Sequence, residues 1–323
     1  MQHNHWLNKK IAPMLARTGS PFDSDRHLFE IKWDGIRVLA FFGNGIARLQ
    51  GRKLTNATAR YPEVVTALER LPGEGILDGE VIVLDDDGRP NFQRVLIREQ
   101  TASRDSALHQ ARQHPVVYVA FDLLYRDGEP LFDRPLEERK RLLSDLLKEP
   151  PSPIVENTYV MRQGKALFKQ ADERGLEGVL AKVLKSRYLC GERSKDWVKL
   201  KVRRRTDAVL VGIVREHRTR RVKSLVLGVY QNDALVWLGN VGSGLDQKTV
   251  AELDTELAPL KAERPTNFAA EAPGEIDWLK PALVLRVEYA ELTMENRLRH
   301  PVFIGFVKKD PRECELPLRS GSS

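Results

Sequence analysis

The sequence predicts an α+β domain built on antiparallel sheets, followed by a small β-barrel. Three observations point there. The chain has 323 residues, more than the roughly 100–200 of a typical single domain. Its first two hundred residues interleave strand and helix patterns. After Arg205 the texture changes to short strands with a single helix candidate.

Residues 28–32, 37–42 and 46–50 read as strand, loop, strand, turn, strand. The turn is Asn44-Gly45, a pair that tolerates positive φ and favours a tight hairpin. A strand over 76–84 ends at the turn Asp85-Asp86-Asp87-Gly88, and another over 116–125 ends at Asp127-Gly128. Helices fit 135–148 and 165–174, the second closed by Gly175 in a C-terminal cap position. Beyond the basic triplet Arg203, Arg204 and Arg205, strands are expected over 208–214, 224–230, 235–239 and 284–292, and a helix over 247–260. Five or so strands with one helix suit a barrel of the OB type. The expected domains are therefore 1–205 and 206–317, with the triplet as hinge and 318–323 as a disordered tail. There is no internal repeat.

Composition narrows the function classes. Hydrophobic residues make up 41% and charged residues 30%, and no apolar run approaches the roughly 20 residues needed to cross a bilayer. Met1 to Lys10 lack an apolar core and a small-residue cleavage site, so the expected address is the cytoplasm, with no membrane partner. Cys190 and Cys314 stand far apart with no ligand-spaced partner, which excludes a disulfide framework or a zinc site. A net charge of +7 and a pI of 9.3 point to a polyanion. The basic residues cluster at 203–205, 215–221, 297–300 and 308–309. Any one such run also reads as solvated surface.

Chemistry concentrates in a few short patterns. Lys32-Trp33-Asp34-Gly35-Ile36-Arg37 sits where one strand ends and the next begins. A lysine nucleophile must be unprotonated to attack, so it needs neighbours that favour the neutral amine. Arg37 can fork onto a phosphate or a ribose hydroxyl. Taken alone, a lysine before an Asp-Gly turn is common. In Asp78-Gly79-Glu80, alternation sets both carboxylates on one face of an apolar strand, which calls for a cation or a donor; a solvent-facing edge strand is the plain alternative. Glu177 opens and Lys182 nearly closes another apolar strand, on opposite faces. In 197–202, Trp197, Lys199 and Lys201 share one face and Val198, Leu200 and Val202 the other. The lysine pair suits a phosphate, or else a solvated strand face. Phe121 could stack on a base or simply pack in the core.

Read in order, Lys32-x-Asp34-Gly35-x-Arg37, Gly51-Arg52, Asp78-Gly79-Glu80, Phe121-Asp122, Glu177-Gly178 and Lys199-x-Lys201 resemble the motif series of the covalent nucleotidyltransferases. Phe121-Asp122-Leu123-Leu124, Glu177-Gly178-Val179-Leu180-Ala181-Lys182 and Leu298-Arg299-His300-Pro301-Val302-Phe303 look most like the ligase module of bacterial end-joining DNA ligases of the ligase D type. The resemblance implies a nucleotidyltransferase (adenylation) domain followed by an OB-fold domain, using ATP and magnesium or manganese. Lys32 would take AMP from ATP and pass it to the 5′-phosphate of nicked double-stranded DNA, and the 3′-hydroxyl would then displace it. Glu30 and the Ile31 backbone would read adenine and Phe121 would stack on it. Arg37 and Glu80 would hold the ribose and phosphate, and Arg52 would meet the nick 5′-phosphate. Glu80 and Glu177 would place the metal, Lys199 and Lys201 would neutralise the α-phosphate, and Arg203, Arg204 and Arg205 would grip DNA. A monomer working in the bacterial nucleoid is implied, beside an end-bridging Ku-like protein and a polymerase. With no zinc finger and no DNA-encircling domain legible, partners are expected to supply part of the grip.

The family's last motif usually reads Arg-x-Asp-Lys and orients pyrophosphate. Here the stretch is Gly305-Phe306-Val307-Lys308-Lys309-Asp310-Pro311, which leaves Lys308 and Lys309 as its basic residues and implies slower reaction with free ATP. An RNA ligase or capping guanylyltransferase shares the nucleophile motif. A non-catalytic nick-binding module would be expected to have lost one of the costly charged residues, and none is missing.

Overall fold

The computed structural model describes residues 6–101, 103–219, 221–246, 249–250, 253, 257–268, 275–293 and 295–315. The chain forms two compact units, Met1–Val202 and Arg203–Ser323.

In the first unit the elements are β1 (Leu15–Gly19), β2 (Ser24–Ile31), β3 (Ile36–Gly43), β4 (Ile46–Gly51), α1 (Pro62–Leu68), β5 (Gly75–Val83), α2 (Phe92–Glu99), α3 (Arg104–Gln113), β6 (Val116–Arg126), β7 (Glu129–Pro130), α4 (Leu136–Leu146), β8 (Ile154–Glu156), β9 (Tyr159–Arg162), α5 (Gly164–Glu173), β10 (Gly178–Val183) and β11 (Arg193–Lys201). One sheet runs β1-β11-β10-β2-β9 and the other β4-β3-β5-β6-β7, with β8 added in parallel on β6. Local chemistry sets several boundaries. Asn44 and Gly45 take φ of 55° and 71°, which closes the β3–β4 hairpin. The Asn91 and Ser103 side chains accept from the backbone N–H of Arg94 and Ser106 and so cap α2 and α3.

Strand β3 reads Val-Leu-Ala-Phe-Phe without alternation because both of its faces are buried. Leu39 and Phe41 pack between the sheets with Ile76, Met14, Tyr188 and Trp197. Val38, Ala40 and Phe42 face Tyr61, Val64, Leu68 and Leu143 on the helical side. Phe29, Val179, Ala181 and Leu200, on the outer face of the other sheet, are covered by Ala171, Leu167 and Phe168 of α5. The solvent-facing edge reading of the Asp78 strand is overturned: β5 lies between β3 and β6, and Asp78 is fully buried. Strands β1, β7, β8 and β9 and helices α1–α3 were not legible in the sequence.

In the second unit β12 (Arg204–Arg215), β13 (Val222–Gln231), β14 (Ala234–Val241), β15 (Asp277–Tyr289) and β16 (Val302–Val307) form one antiparallel sheet in the order β14-β13-β12-β15-β16. A parallel bridge, Ser243 to Val302, links the chain just past β14 to β16, with the Phe303 N–H donating to the Ser243 carbonyl at 2.9 Å. The sheet curls on itself, as an OB-type barrel requires. Arg204 and Arg205 are paired strand residues opposite Tyr289 and Glu288, so two of the three basic residues lie within β12. Of the helix expected over 247–260, Thr249, Val250 and Leu253 are helical and a 3-10 turn follows at Ala258–Leu260; residues 247–248, 251–252 and 254–256, and the tail at 318–323, lie outside the described residues. Among the described residues no helix is long and apolar enough to cross a membrane.

Candidate active site

The second residue past Lys32-Trp33 decides how closely the lysine can approach β5. A Cβ on Gly35 would lie 2.3 Å from the Val81 carbonyl oxygen and 2.9 Å from Glu80 Cγ, so only glycine lets the chain pass against β5 here. The reason for the glycine is this clearance, not a turn geometry. Lys32 itself follows the last residue of β2, and its N–H donates to the Gly178 carbonyl at 3.0 Å. Gly178 has φ of 144°, and a Cβ there would sit 2.0 Å from the Leu200 carbonyl oxygen. Only glycine fits this close approach, which sets Glu177 just before β10 within reach of Lys32.

Glu177 binds two of the predicted lysines at once. Its Oε2 accepts from Lys32 Nζ, and its Oε1 lies 2.8 Å from Lys201 Nζ. Burial would push this carboxyl up, but Lys32 and Lys201 outweigh burial and hold it below its ordinary range. Glu80 behaves oppositely. Burial, with Glu177 and Asp78 nearby, pushes it up to about 8 despite Lys32 and Arg37. Lys199 is lowered by burial and by the adjacent cations Lys201, Arg193 and Lys32. The structure therefore brings Lys32, Glu80, Glu177, Lys199 and Lys201 into one electrostatic cluster. Glu177 and Lys182, by contrast, serve different partners.

Arg37 does not present its fork outward. Its Nε and Nη2 donate to Asp78 Oδ1 and Oδ2 at 2.9 and 2.6 Å, and Nη1 donates to the Met14 carbonyl at 2.7 Å. Tyr188 Oη donates to Asp78 Oδ2 at 2.6 Å. Arg37 thus fixes β3 against β5, and the expected fork onto ribose or phosphate is already occupied. Glu30 is likewise buried. Its carboxylate lies 2.9 Å from Lys140 Nζ and 2.6 Å from Lys182 Nζ. Burial pulls Lys140 down, but Glu30 and Glu156 outweigh it and raise the ammonium; for Lys182 burial wins and the ammonium is lowered. Lys182 Nζ stands 4.4 Å from the centre of the Phe121 ring and 4.3 Å from that of Trp197. Phe121, half-buried and edge-on to Trp197, is part of this floor.

Arg52 is exposed in the turn after β4. In the second unit Arg203 Nη1 donates to the His300 carbonyl at 3.3 Å, and Arg205 pairs with Glu288 at 2.7 Å. Lys308 is exposed, and Lys309 lies 3.7 Å from Asp207.

Sequence reasoning missed Arg139, Lys140, Asn157 and Tyr188. Arg139 binds Asp122 through Nε and Nη2 at 2.8 and 2.9 Å with both side chains fully buried, and this fixes the residue after Phe121. In α4 the run Glu137-Glu138-Arg139-Lys140-Arg141 carries no signal that two of its cations turn inward.

Among the described residues no three His, Cys, Asp or Glu side chains cluster at metal-binding distance. Glu80 and Glu177 fit a divalent cation all the same: Glu80, raised by burial and by neighbouring carboxylates, is a carboxyl that a cation would relieve. Two carboxylates leave most of an oxygen coordination shell to phosphate and water.

The model for the ATP dependent DNA ligase domain matches residues 12–201, more than half of the chain, and that for the ATP dependent DNA ligase C terminal region matches residues 218–310. The chain belongs to the ATP-dependent DNA ligase family. Among its relatives, the multifunctional non-homologous end joining protein LigD of Pseudomonas aeruginosa is 34% identical over 311 residues, covering 93% of this ligase chain and 36% of that protein. The chain thus spans little more than a third of that relative's length. The crystal structure of the ligase domain of Mycobacterium tuberculosis LigD is 33% identical with a TM-score of 0.55, covering 95% of this chain and 98% of that one. A mycobacterial DNA ligase D complexed with ATP and MES matches with 33% identity and a TM-score of 0.55, over 94% and 98%.

Proposed function

We propose that this ligase chain seals 3′-hydroxyl/5′-phosphate nicks in duplex DNA through an AMP carried on Lys32. The observation that carries the reading is Lys32 held against Glu177, which is itself held by Lys201, with Glu80 and Lys199 in the same cluster.

Lys32 Nζ attacks the α-phosphorus of ATP. A P–N bond forms, the bond to the β-phosphate oxygen breaks, and pyrophosphate leaves with the electron pair. Glu177, hydrogen-bonded to Lys32 and kept ionised by Lys32 and Lys201, orients the lysine and is a weak base, so the ammonium proton passes to solvent before attack. A nick 5′-phosphate oxygen then attacks the same phosphorus and the P–N bond breaks, returning the amine. Finally the 3′-hydroxyl attacks the 5′-phosphorus and AMP leaves. Lys199 and Lys201 stabilise charge on the α-phosphate, and Glu80 with Glu177 would hold the divalent cation, which offsets phosphate charge. Phe121 supports the base, and Arg37 positions Asp78 and the strand that bears Glu80. Arg52 and the basic triplet are the proposed contacts to DNA phosphate. Domain limits of 1–205 and 206–317 and action as a monomer belong to the same reading. So do end joining beside an end-bridging protein and a polymerase, on the likeness to the LigD proteins, and a place in the bacterial cytoplasm on the nucleoid.

Incubation with magnesium and α-labelled ATP or GTP, followed by peptide mapping, tests the assignment. Label from ATP is expected on Lys32. Lys32→Ala and Lys32→Arg are expected to form no adduct and seal no nick, because neither supplies a neutral amine. An adduct of normal yield on Lys32→Ala ends the hypothesis, and label from GTP favours the capping-type alternative.

A further inference from the structure

Asn157 follows β8, is 4% exposed and plays no part in the chemistry above. Its amide spans the nucleophile from both sides. Oδ1 accepts from Trp33 Nε1 at 2.9 Å, and Nδ2 donates to the Ile31 carbonyl at 3.2 Å. Ile31 and Trp33 are the residues on either side of Lys32. An indole N–H only donates and a carbonyl only accepts, so the amide can be oriented one way only. The backbone of Asn157 is held in turn: its N–H donates to the Ala120 carbonyl at 2.7 Å, and its carbonyl accepts from Lys140 Nζ at 3.1 Å. The clamp is therefore anchored on β6 and α4, while the chain it grips runs between β2 and β3.

We infer that Asn157 is a positioning residue for the covalent step, fixing the Lys32 backbone so that the amine meets the α-phosphorus in line. The inference rests on Lys32 being the nucleophile. A lysine side chain has four rotatable bonds, so its reach is aligned only if its Cα is fixed, and a misplacement of about 1 Å can cost about 100-fold in rate. Lys32 is part-exposed, with its N–H tied to the Gly178 carbonyl and its amine to Glu177. The two hydrogen bonds of the buried Asn157 amide add a hold on the residues on either side of it.

The experiment measures single-turnover formation of the enzyme–AMP adduct with labelled ATP and magnesium on the full chain, beside closure of a nick that already carries 5′-AMP. Asn157→Ala is expected to slow adduct formation about 10- to 100-fold with the KM for ATP within about threefold, while closure, which does not use the Lys32 amine as nucleophile, stays within about threefold. Asn157→Asp keeps the acceptor for Trp33 but turns an oxygen toward the Ile31 carbonyl, so it is expected to be at least as slow. Trp33→Phe, which keeps an aromatic ring but loses the indole N–H and its hydrogen bond, is expected to be several-fold slower. The Asn157→Ala, Trp33→Phe double variant should be no slower than Asn157→Ala alone. Equal losses in adduct formation and closure, additive losses in the double variant, or normal adduct formation in both single variants would each overturn the clamp. Label absent from Lys32 in the unaltered chain overturns the nucleophile assignment itself, and so is distinguishable from failure of the clamp.

Discussion

Glu80 and Glu177 both feel Lys32 yet hold protons in opposite ways. Glu177 has direct contacts to Lys32 and Lys201, which keep it ionised, whereas Glu80 is raised to about 8 by burial and by its fellow carboxylates. Without a cation, the native chain binds a proton at Glu80 across the interval from the ordinary carboxylate value to about pH 8, and the unfolded chain does not. Stability from this residue is therefore present at low pH and falls as pH rises through that interval. Glu177 has the reverse sign, its contribution being lost as pH falls below the ordinary carboxylate range. In chelator, Glu80→Gln should gain melting temperature relative to the unaltered chain between pH 6 and pH 9; a difference that stays flat or falls would mean that Glu80 is ionised in the native state. The residues that the structure gathers around Lys32 were legible because a lysine, two carboxylates and a lysine pair stand in the order of the motif series. Asn157, Lys140 and Tyr188 were not, because an asparagine, a helical lysine and a tyrosine acquire their roles only from partners 17 to 174 residues away.

At the scale of elements, β5 shows what the sequence could and could not convey. Its alternation placed Asp78 and Glu80 on one face, and the unbroken pairing with β3 puts Glu80 opposite Arg37, while the irregularity after Asp78 falls in the pairing with β6. Its central place between β3 and β6 was invisible, since sheet order depends on pairings far apart in sequence. The same holds for β1, which joins the sheet by pairing with β11 across nearly the whole first unit. Short strands such as β7 and β8 lack enough residues to carry a period. The central position makes Asp78 a lock on the site floor: it takes two donors from Arg37 and one from Tyr188 in full burial. Removing one partner of a buried pair leaves an uncompensated charge, at about 3–5 kcal/mol. Asp78→Ala should lower unfolding free energy by about that amount in urea melts, and Arg37→Lys, which cannot fork, should lose part of it. A loss under about 1 kcal/mol would show the pair to be incidental.

At the scale of the whole molecule, two units with separate cores carry a net charge of +7, and the chemistry described above lies in the first unit. What the second unit adds to the proposed reaction can be tested at residues 305–311, the stretch that resembles a pyrophosphate-orienting motif but departs from it. Lys308 is exposed just past β16, and Lys309 lies within ion-pair range of Asp207. Asp207 is already held by Arg286 through two contacts at 2.8 and 3.1 Å, so losing Lys309 leaves no unpaired carboxylate and should barely affect folding. If these lysines align the triphosphate, the Lys308→Ala, Lys309→Ala double variant should slow sealing with ATP and a plain nick by about tenfold or more. Closure of a pre-adenylated nick without ATP should change much less, because no pyrophosphate leaves in that step. Deleting residues 206–323 should damage both reactions, since it also removes much of the basic surface. Equal losses on the two substrates in the double variant would assign Lys308 and Lys309 to DNA binding, and would leave the first step to the residues around Lys32 alone.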